Sequence, residues 1–390
     1  MNQLFQPDSG ARTSVVAIPA RDEVHHIGAC LAALDQQVGA QFDHIVVLVN
    51  NTSDGTAALA RAMTPRSGTR LHVRETTLPA GHGNAGYARH LAMAEAAVIA
   101  GDDGVLLTTD ADGVVDSDWL AANLRAIGAG ADVVAGWVDL DPLDWGRIPM
   151  VLHEDDAREC AYDALCDEIH ARLDPDPADP MPRHTQHSGA SIAVTMAAYR
   201  RAGGVPPIAC GEDRAFLAAL RSVDAKIRHA PECHVVVSGR TEGRAAGGMA
   251  DAIRRRMLAP DPHLDDRLEP AADCARRAAF RSQLRRCRTA PDLVRDFAVD
   301  ADMSIALVAQ ALALPHFGAA WEMIEKASPR LRRRLVAAHD LAKEMARAEV
   351  ICAELRAEDS ASVAHRVNGR REVVRSAGVR GAVGYANPLI

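Results

Sequence analysis

At 390 residues the chain is longer than one ordinary domain, so a main domain with an appendage is expected. A net charge of −8, with 48% apolar and 25% charged residues, excludes wholesale disorder and argues against a chain built to coat nucleic acid or an anionic membrane. The eight cysteines are scattered without any C-x-x-C pair, which excludes a disulfide scaffold or a zinc ribbon and suits a reducing cytoplasm.

The opening residues, MNQLFQPDSGARTS, show no basic start followed by an apolar run, so no secretory signal is expected. From Thr13 to about residue 138, short β-branched runs alternate with Ala-rich stretches of helical length. SVVAI (14–18), HIVVLV (44–49), RLHV (70–73), GVLLTT (104–109) and ADVVAG (131–136) read as strands. That alternation predicts an α/β sheet with crossover helices, in which ligands gather at the carboxyl ends of the strands. An amphipathic helix is expected over 153–173, with Tyr162, Leu165, Ile169 and Leu173 on one side. A Pro- and Asp-rich loop follows, then a short apolar run (190–194), a helix opening at GEDRAFLAAL and a strand at HVVVSG (234–239).

Beyond about residue 246 the strand signal stops, and Arg- and Ala-rich helical patterns continue to about 358. The expected division is therefore 1–245 for the α/β domain and 246–390 for a helical region, with a poorly ordered tail after 366. Met303 to Leu314 is apolar but stops at Pro315; a membrane span needs roughly 20 residues, so this stretch reads as a buried helix.

The strongest chemical signal is VLLTTDADGVVDSDWL, where a strand delivers Asp110 and Asp112 to the sheet's carboxyl edge. Two carboxylates one residue apart suit Mg²⁺ or Mn²⁺ held against a diphosphate, because hard ions take one or two carboxylates plus phosphate oxygens. The same residues also fit an Asx-rich turn before a helix. GHGNAG at 81–86 matches the dinucleotide glycine pattern, but it follows two earlier strands and the loop ETTLPA, so only the general property of amides at a helix start carries over.

Five blocks in order resemble family 2 glycosyltransferases with the GT-A fold. They are VVAIPARDEVHHIGACLAAL, HIVVLVNNTSDGTAALA, GHGNAGYARHLAMAEA, TTDADGVVDSDWL and GEDRAFLAAL, spread over roughly residues 12–240. The resemblance implies a Rossmann-like catalytic domain that takes a UDP- or GDP-linked sugar. It implies that Pro19, Ala20, Arg21 and Glu23 line the base and ribose pocket, that Arg89 faces the diphosphate or base, that Asp110 meets ribose and metal, and that Asp112 binds Mn²⁺ or Mg²⁺. Asn50 and Asn51 stand where the family commonly has acidic residues. An amide both accepts and donates, so the usual preference for UDP does not carry over and GDP stays open.

By the same resemblance Asp213 is the base that takes the acceptor's hydroxyl proton, and Glu212 helps to place the acceptor. In-line attack on an oxocarbenium-like carbon then inverts the anomeric centre. Helix N-terminal acidity is the plain alternative for both residues. The family's metal histidine falls near Ser238 here, whereas His234 sits earlier. His184 and His187, at H-x-x-H spacing, read as members of a surface loop. Arginines 254–256, 276, 277, 281, 285, 286 and 288 read as a solvated helix face, with an anionic acceptor as the sharper alternative. Aromatic residues make up only 4%, which favours a small acceptor over a polysaccharide track. Two other functions fit part of the pattern. One is a haloacid dehalogenase-like phosphatase with Asp110 as nucleophile, and the other is a non-catalytic nucleotide-sugar binding protein.

Overall fold

The computed structural model describes residues 12–243, 247–259 and 261–378. The stretch read for a secretory signal lies almost entirely outside these residues, as does the tail beyond 378. The strands are β1 Ser14–Ala20, β2 His44–Asn50, β3 Arg70–Thr76, β4 Val105–Thr108, β5 Val114–Val115, β6 Val133–Leu140, β7 Ile192–Thr195 and β8 Ile227–Val237. Between them run α1 Ile27–Asp35, α2 Thr56–Ala62, α3 Ala85–Ala100, α4 Trp119–Gly128, α5 Pro142–Trp145, α6 Met150–Leu173, α7 Met196–Arg201 and α8 Glu212–Ser222. After β8 come α9 Met249–Leu258, α10 Ala271–Cys287, α11 Val294–Asp300, α12 Ile305–Leu312, α13 Phe317–Ala327 and α14 Leu341–Gly378.

The eight strands form one mixed sheet in the order β3, β2, β1, β4, β7, β6, β8, β5. β1 is flanked in parallel by β2 and β4, while β7 runs antiparallel to both β4 and β6. Successive residues of the central strands serve opposite faces. Val16, Ile18, Ile45, Val47 and Leu107 pack with α1 and α4, whereas Val15, Ala17, Val46, Leu48 and Leu106 pack with α3, α7 and α8. A sheet covered on both faces needs unbroken apolar strands, which is why SVVAI and HIVVLV lack polar alternation. Each large side chain buried there contributes roughly 1.5–3 kcal/mol.

Two strands differ from the sequence reading. β5 has only two residues, paired antiparallel with Val235 and Val236, too few to leave a periodic signal. β8 begins at Ile227, ahead of the expected start at His234, and its pairing with β6 shifts register between Gly136 and Val138. Pro231, which has no amide to donate, lies in that irregular stretch and interrupts the pattern.

The helical region is built on two clusters. α10, α11, α12 and α13 share one, with Leu284, Phe297, Val308 and Ile324 inside. The other joins α6 to α10 and α14 through Tyr162, Cys166, Ile169, Cys274 and Cys352. The apolar side expected on 153–173 therefore faces the helical region, and the Tyr162 hydroxyl donates to the Glu269 carbonyl at 2.7 Å. In the stretch read as a buried helix, Val308 and Ala311 are buried but Ile305 is half exposed, so α12 is amphipathic. The backbone of α14 stays helical to Gly378, past the expected end near 358.

α13 docks on the α/β domain by its N-terminus. Both Asp224 carboxylate oxygens accept from α13, at 2.7 Å from the Phe317 and Gly318 amides. A Cβ on Gly318 would lie 1.8 Å from the Arg221 carbonyl oxygen, so backbone has to move to admit any side chain. Gly318→Ala should cost about 1–3 kcal/mol of unfolding free energy through overpacking, read as a lower urea midpoint at unchanged slope. A wild-type midpoint would mean that this junction is not tight.

Candidate active site

β1 and β2 end side by side, and the residues that follow define one edge of the sheet. Pro19 and Ala20 close β1, and the Arg21 Nη1 donates to the Gly83 carbonyl at 3.0 Å. Asn50 is buried, 2% exposed, and its amide nitrogen lies 3.4 Å from the Asn51 Oδ1. Asn51 takes a left-handed φ of 48°. Its Oδ1 accepts from the Leu78 amide and its Nδ2 donates to the Leu78 carbonyl, each at 3.0 Å. The Asn51 amide thus fastens the segment after β3, and both of its functional atoms are engaged within the protein. Between these parts lies a cavity of about 420 Å³, lined by Arg21, Asn51, Leu78, Pro79, Ala80, Gly81, Gly83 and Asn84. Its size falls in the range of small-ligand pockets.

The glycine-rich segment opens α3, with the Asn84 side chain capping the Tyr87 amide at 3.1 Å. Gly86 is glycine for a packing reason, since a Cβ there would lie 1.8 Å from the Ile208 carbonyl oxygen just ahead of α8. One turn further on, Arg89 is 5% exposed and points inward. Its Nε donates to Glu212 at 2.9 Å, its Nη1 to Thr108 Oγ1 and the Gly189 carbonyl at 2.8 Å each, and its Nη2 to Asp110 Oδ1 at 2.6 Å. Burial works against its charge, but the Asp110 and Glu212 carboxylates more than offset this and keep its pKa above the ordinary value. Arg89 therefore ties β4, the loop before β7 and α8 together. The same guanidinium accounts for Gly189, where an added Cβ would sit 2.5 Å from its central carbon.

Asp110 and Asp112 follow β4 in a turn closed by the Gly113 amide, which donates to the Asp110 carbonyl at 3.0 Å. The Asp110 side chain is 36% exposed, whereas Asp112 retains 14% exposure. Burial first, and then the neighbouring Asp110 and Glu23 charges, push the Asp112 carboxyl up to about 7, while Arg240 pulls the other way. On the opposite side of Arg89, α8 opens after Gly211 at φ 73°. Glu212 is buried against Arg89, while Asp213 accepts from the Gly189 amide at 3.0 Å and from the Arg214 amide at 2.7 Å.

Glu23 is 5% exposed and lies under the same edge, paired through both oxygens with Arg240, whose Nη2 also stands 3.2 Å from Asp112 Oδ2. The sequence reading does not include Arg240. The available signal is its place just past β8, where a histidine is sought near Ser238 and a cation stands two residues on. His234 is paired with Asp116 and Asp139, 3.1 Å from each.

His184 and His187 are not on a surface loop. His184 is 7% exposed against Trp137 and His229, and the His187 Nε2 lies 2.6 Å from the Arg221 Nη2. Among the described residues no three His, Cys, Asp or Glu side chains are grouped to hold a metal ion. The arginine run is largely neutralised, with Arg254 on Asp251, Arg255 and Arg256 on Asp261, and Arg281 and Arg285 on Asp174. Arg277 is buried between Glu269 and Glu325.

Residues 15–202 match the family model described as Glycosyl transferase family 2. This segment is a family 2 glycosyltransferase domain. The match makes this domain that of a glycosyltransferase, which sets aside the phosphatase reading. Glu212, Asp213 and Arg240 fall beyond the matched residues.

No curated protein is significantly similar in sequence. Similar solved structures include Mycobacterium tuberculosis glucosyl-3-phosphoglycerate synthase with Mn²⁺, UDP and phosphoglyceric acid, at 18% identity over 64% of this chain and 78% of that one, TM-score 0.38. Another is S. aureus TarS 1–349 with UDP, at 16% identity over 89% of this chain and 92% of that one, TM-score 0.43. A third is the mannosyltransferase PcManGT from Pyrobaculum calidifontis with GDP-Man and Mn²⁺, at 16% identity over 83% and 90%, TM-score 0.41. Among the described residues no helix is long and apolar enough to cross a membrane.

Proposed function

We propose that the enzyme transfers a glycosyl group, with inversion, from a UDP- or GDP-linked sugar to a hydroxyl of a small acceptor, using Mn²⁺ or Mg²⁺ held by Asp112 and Asp110. The observation that carries this reading is the single guanidinium of Arg89, which joins the Asp110 turn to the Glu212 end of α8. The cavity beside Arg21 and Asn51 is taken as the nucleotide side, and Pro19, Ala20, Glu23 and Asn50 adjoin those two residues along the chain.

The donor set fits a hard divalent ion. Two carboxylates stand one residue apart, a diphosphate brings the remaining oxygens, and a guanidinium beside Asp112 already stands in for a cation. When bound, the ion stabilises the negative charge that collects on the departing diphosphate. Arg89 fixes the orientation of Asp110 and Glu212, and Asp213 receives the acceptor's proton on a carboxylate oxygen. Asp213 retains lone pairs for this, because its two oxygens together accept two backbone bonds and offer about four sites.

An anionic acceptor suits Arg221, which has no ion-pair partner within 4.0 Å among the described residues. Burial first, then the nearby Arg281, lowers its pKa to about 10, while Asp179 acts in the opposite direction. The cytoplasm is the proposed location, in keeping with eight free thiols.

A thermal-shift panel of UDP, GDP and their sugars, with and without Mn²⁺, tests the reading, because a ligand of the native state raises its stability. The wild type should be stabilised by one nucleotide family, more strongly with metal, and Asp112→Ala should lose the metal-dependent part. An Asp112→Ala protein that keeps the full metal-dependent shift would remove the basis of the proposal.

A further inference from the structure

β8 ends at Val237, and the chain then turns through Ser238 and Gly239. Asp144 holds that turn, accepting from the Ser238 hydroxyl and the Gly239 amide at 3.0 Å each. The turn delivers Arg240 to the edge of the sheet. Its Nη1 donates to Glu23 Oε2 at 2.7 Å, and its Nη2 donates to Glu23 Oε1 at 2.5 Å and lies 3.2 Å from Asp112 Oδ2. Glu23 is buried, so this fork is set by a partner that cannot turn away to solvent.

A guanidinium has five donors and no lone pair to offer, so Arg240 cannot serve as a metal ligand. It instead stands 3.2 Å from an oxygen that a divalent ion would use. A metal on Asp112 would bring two cations to one carboxylate and weaken the hold of both. The local charge count points the same way. The carboxyl groups of Glu23, Asp110, Asp112 and Glu212 face two guanidiniums, Arg89 and Arg240, and a diphosphate adds negative charge that lets a metal and Arg240 coexist.

We propose that Arg240 is the resident counter-ion of Asp112 and competes with the divalent metal, so that the metal binds weakly alone and strongly only together with the nucleoside diphosphate. This rests on the reading of Asp112 as a metal ligand. It makes the donor and its ion a joint ligand, and it assigns Arg240 to control of that coupling.

Electron paramagnetic resonance of free Mn²⁺ tests the proposal on the full chain, with Mn²⁺ alone and with UDP or GDP added. In the wild type, nucleotide should tighten Mn²⁺ binding on the order of tenfold or more. Arg240→Gln should tighten binding of Mn²⁺ alone, again on the order of tenfold for removal of one adjacent competing charge, and narrow the gap between the two conditions. Arg240→Lys keeps a charge beside Glu23 and serves if the glutamine variant does not fold, with a smaller gain of the same sign. Unchanged or weaker binding of Mn²⁺ alone in the folded variant would overturn the role of Arg240 while leaving the Asp112 site intact. Loss of Mn²⁺ binding in Asp112→Asn with nucleotide present supports the underlying site. Retention there would overturn both.

Discussion

Replacing Arg89 with methionine should lower the unfolding free energy by about 3–5 kcal/mol, the usual cost of stranding a buried charge, and should abolish transfer. Arg89 is 5% exposed and Glu212 6% exposed, so the glutamate carboxylate would be left without a cation in a place water barely reaches. Thr108 Oγ1 and the Gly189 carbonyl would each lose a donor at 2.8 Å. The double variant Arg89→Met with Glu212→Gln discriminates between causes. If the stranded charge dominates, neutralising it should recover a substantial part of the stability without restoring activity, because Asp110 still lacks its 2.6 Å tether. Urea denaturation of the four proteins in the cycle gives the coupling directly. Arg89→Lys adds a functional readout, since a lysine keeps the charge but cannot span the same four acceptors. It should reduce kcat more than it raises KM for the donor. Wild-type stability in Arg89→Met, or a double variant no more stable than the single, would remove Arg89 from the centre of the site.

The order of the blocks along the chain was readable because the central strands are buried on both faces. SVVAI and HIVVLV are continuous apolar runs, and the first polar residues after them fall at the edge where ligands collect. Residue types and turns were therefore legible, but partnerships across long separations were not. Arg89 in sequence is a cation one turn into a helix after glycines, which suggests a phosphate arm, and only the approach of Glu212 from 123 residues away makes it an internal bridge. Asn51 likewise reads as a base contact until the Leu78 backbone takes both of its amide atoms. Gly86 reads as a phosphate-loop glycine, yet what approaches it is the Ile208 carbonyl. Arg240 is not legible as a site residue for a chemical reason: a metal ligand needs a lone pair, and the residue that stands at Asp112 carries a positive charge instead. α6 shows the same limit at the level of packing. Its apolar side was visible in 153–173, but that it faces α10 and α14 depends on contacts made more than a hundred residues later, such as Tyr162 with Glu269.

Asp213→Asn should reduce kcat by about 10²–10⁴-fold, the usual contribution of a positioned general base, while leaving nucleotide binding close to wild type. The expectation for binding follows from position: Asp213 opens α8, and none of its bonds reaches the Arg21 and Asn51 cavity. The substitution is not electrostatically silent. Each aspartate oxygen accepts from a backbone amide, Gly189 at 3.0 Å and Arg214 at 2.7 Å, and asparagine has only one oxygen to meet two donors. One amide will face an NH₂ group, so a stability loss on the order of 1–3 kcal/mol accompanies the chemical effect. That loss has a route to the donor side, because the Gly189 carbonyl accepts from Arg89, which holds Asp110. The two effects separate by measurement. A missing base lowers kcat with the nucleotide-induced thermal shift intact, whereas a loosened Gly189 weakens the shift as well. Asp213→Glu adds a further check, since it retains a carboxylate but displaces it by one methylene and should recover part of the rate only if proton transfer was what the asparagine removed. A kcat in Asp213→Asn within about threefold of wild type, well short of what a general base contributes, would assign the proton to another group and leave Asp213 as the clasp that holds Gly189 over Arg89.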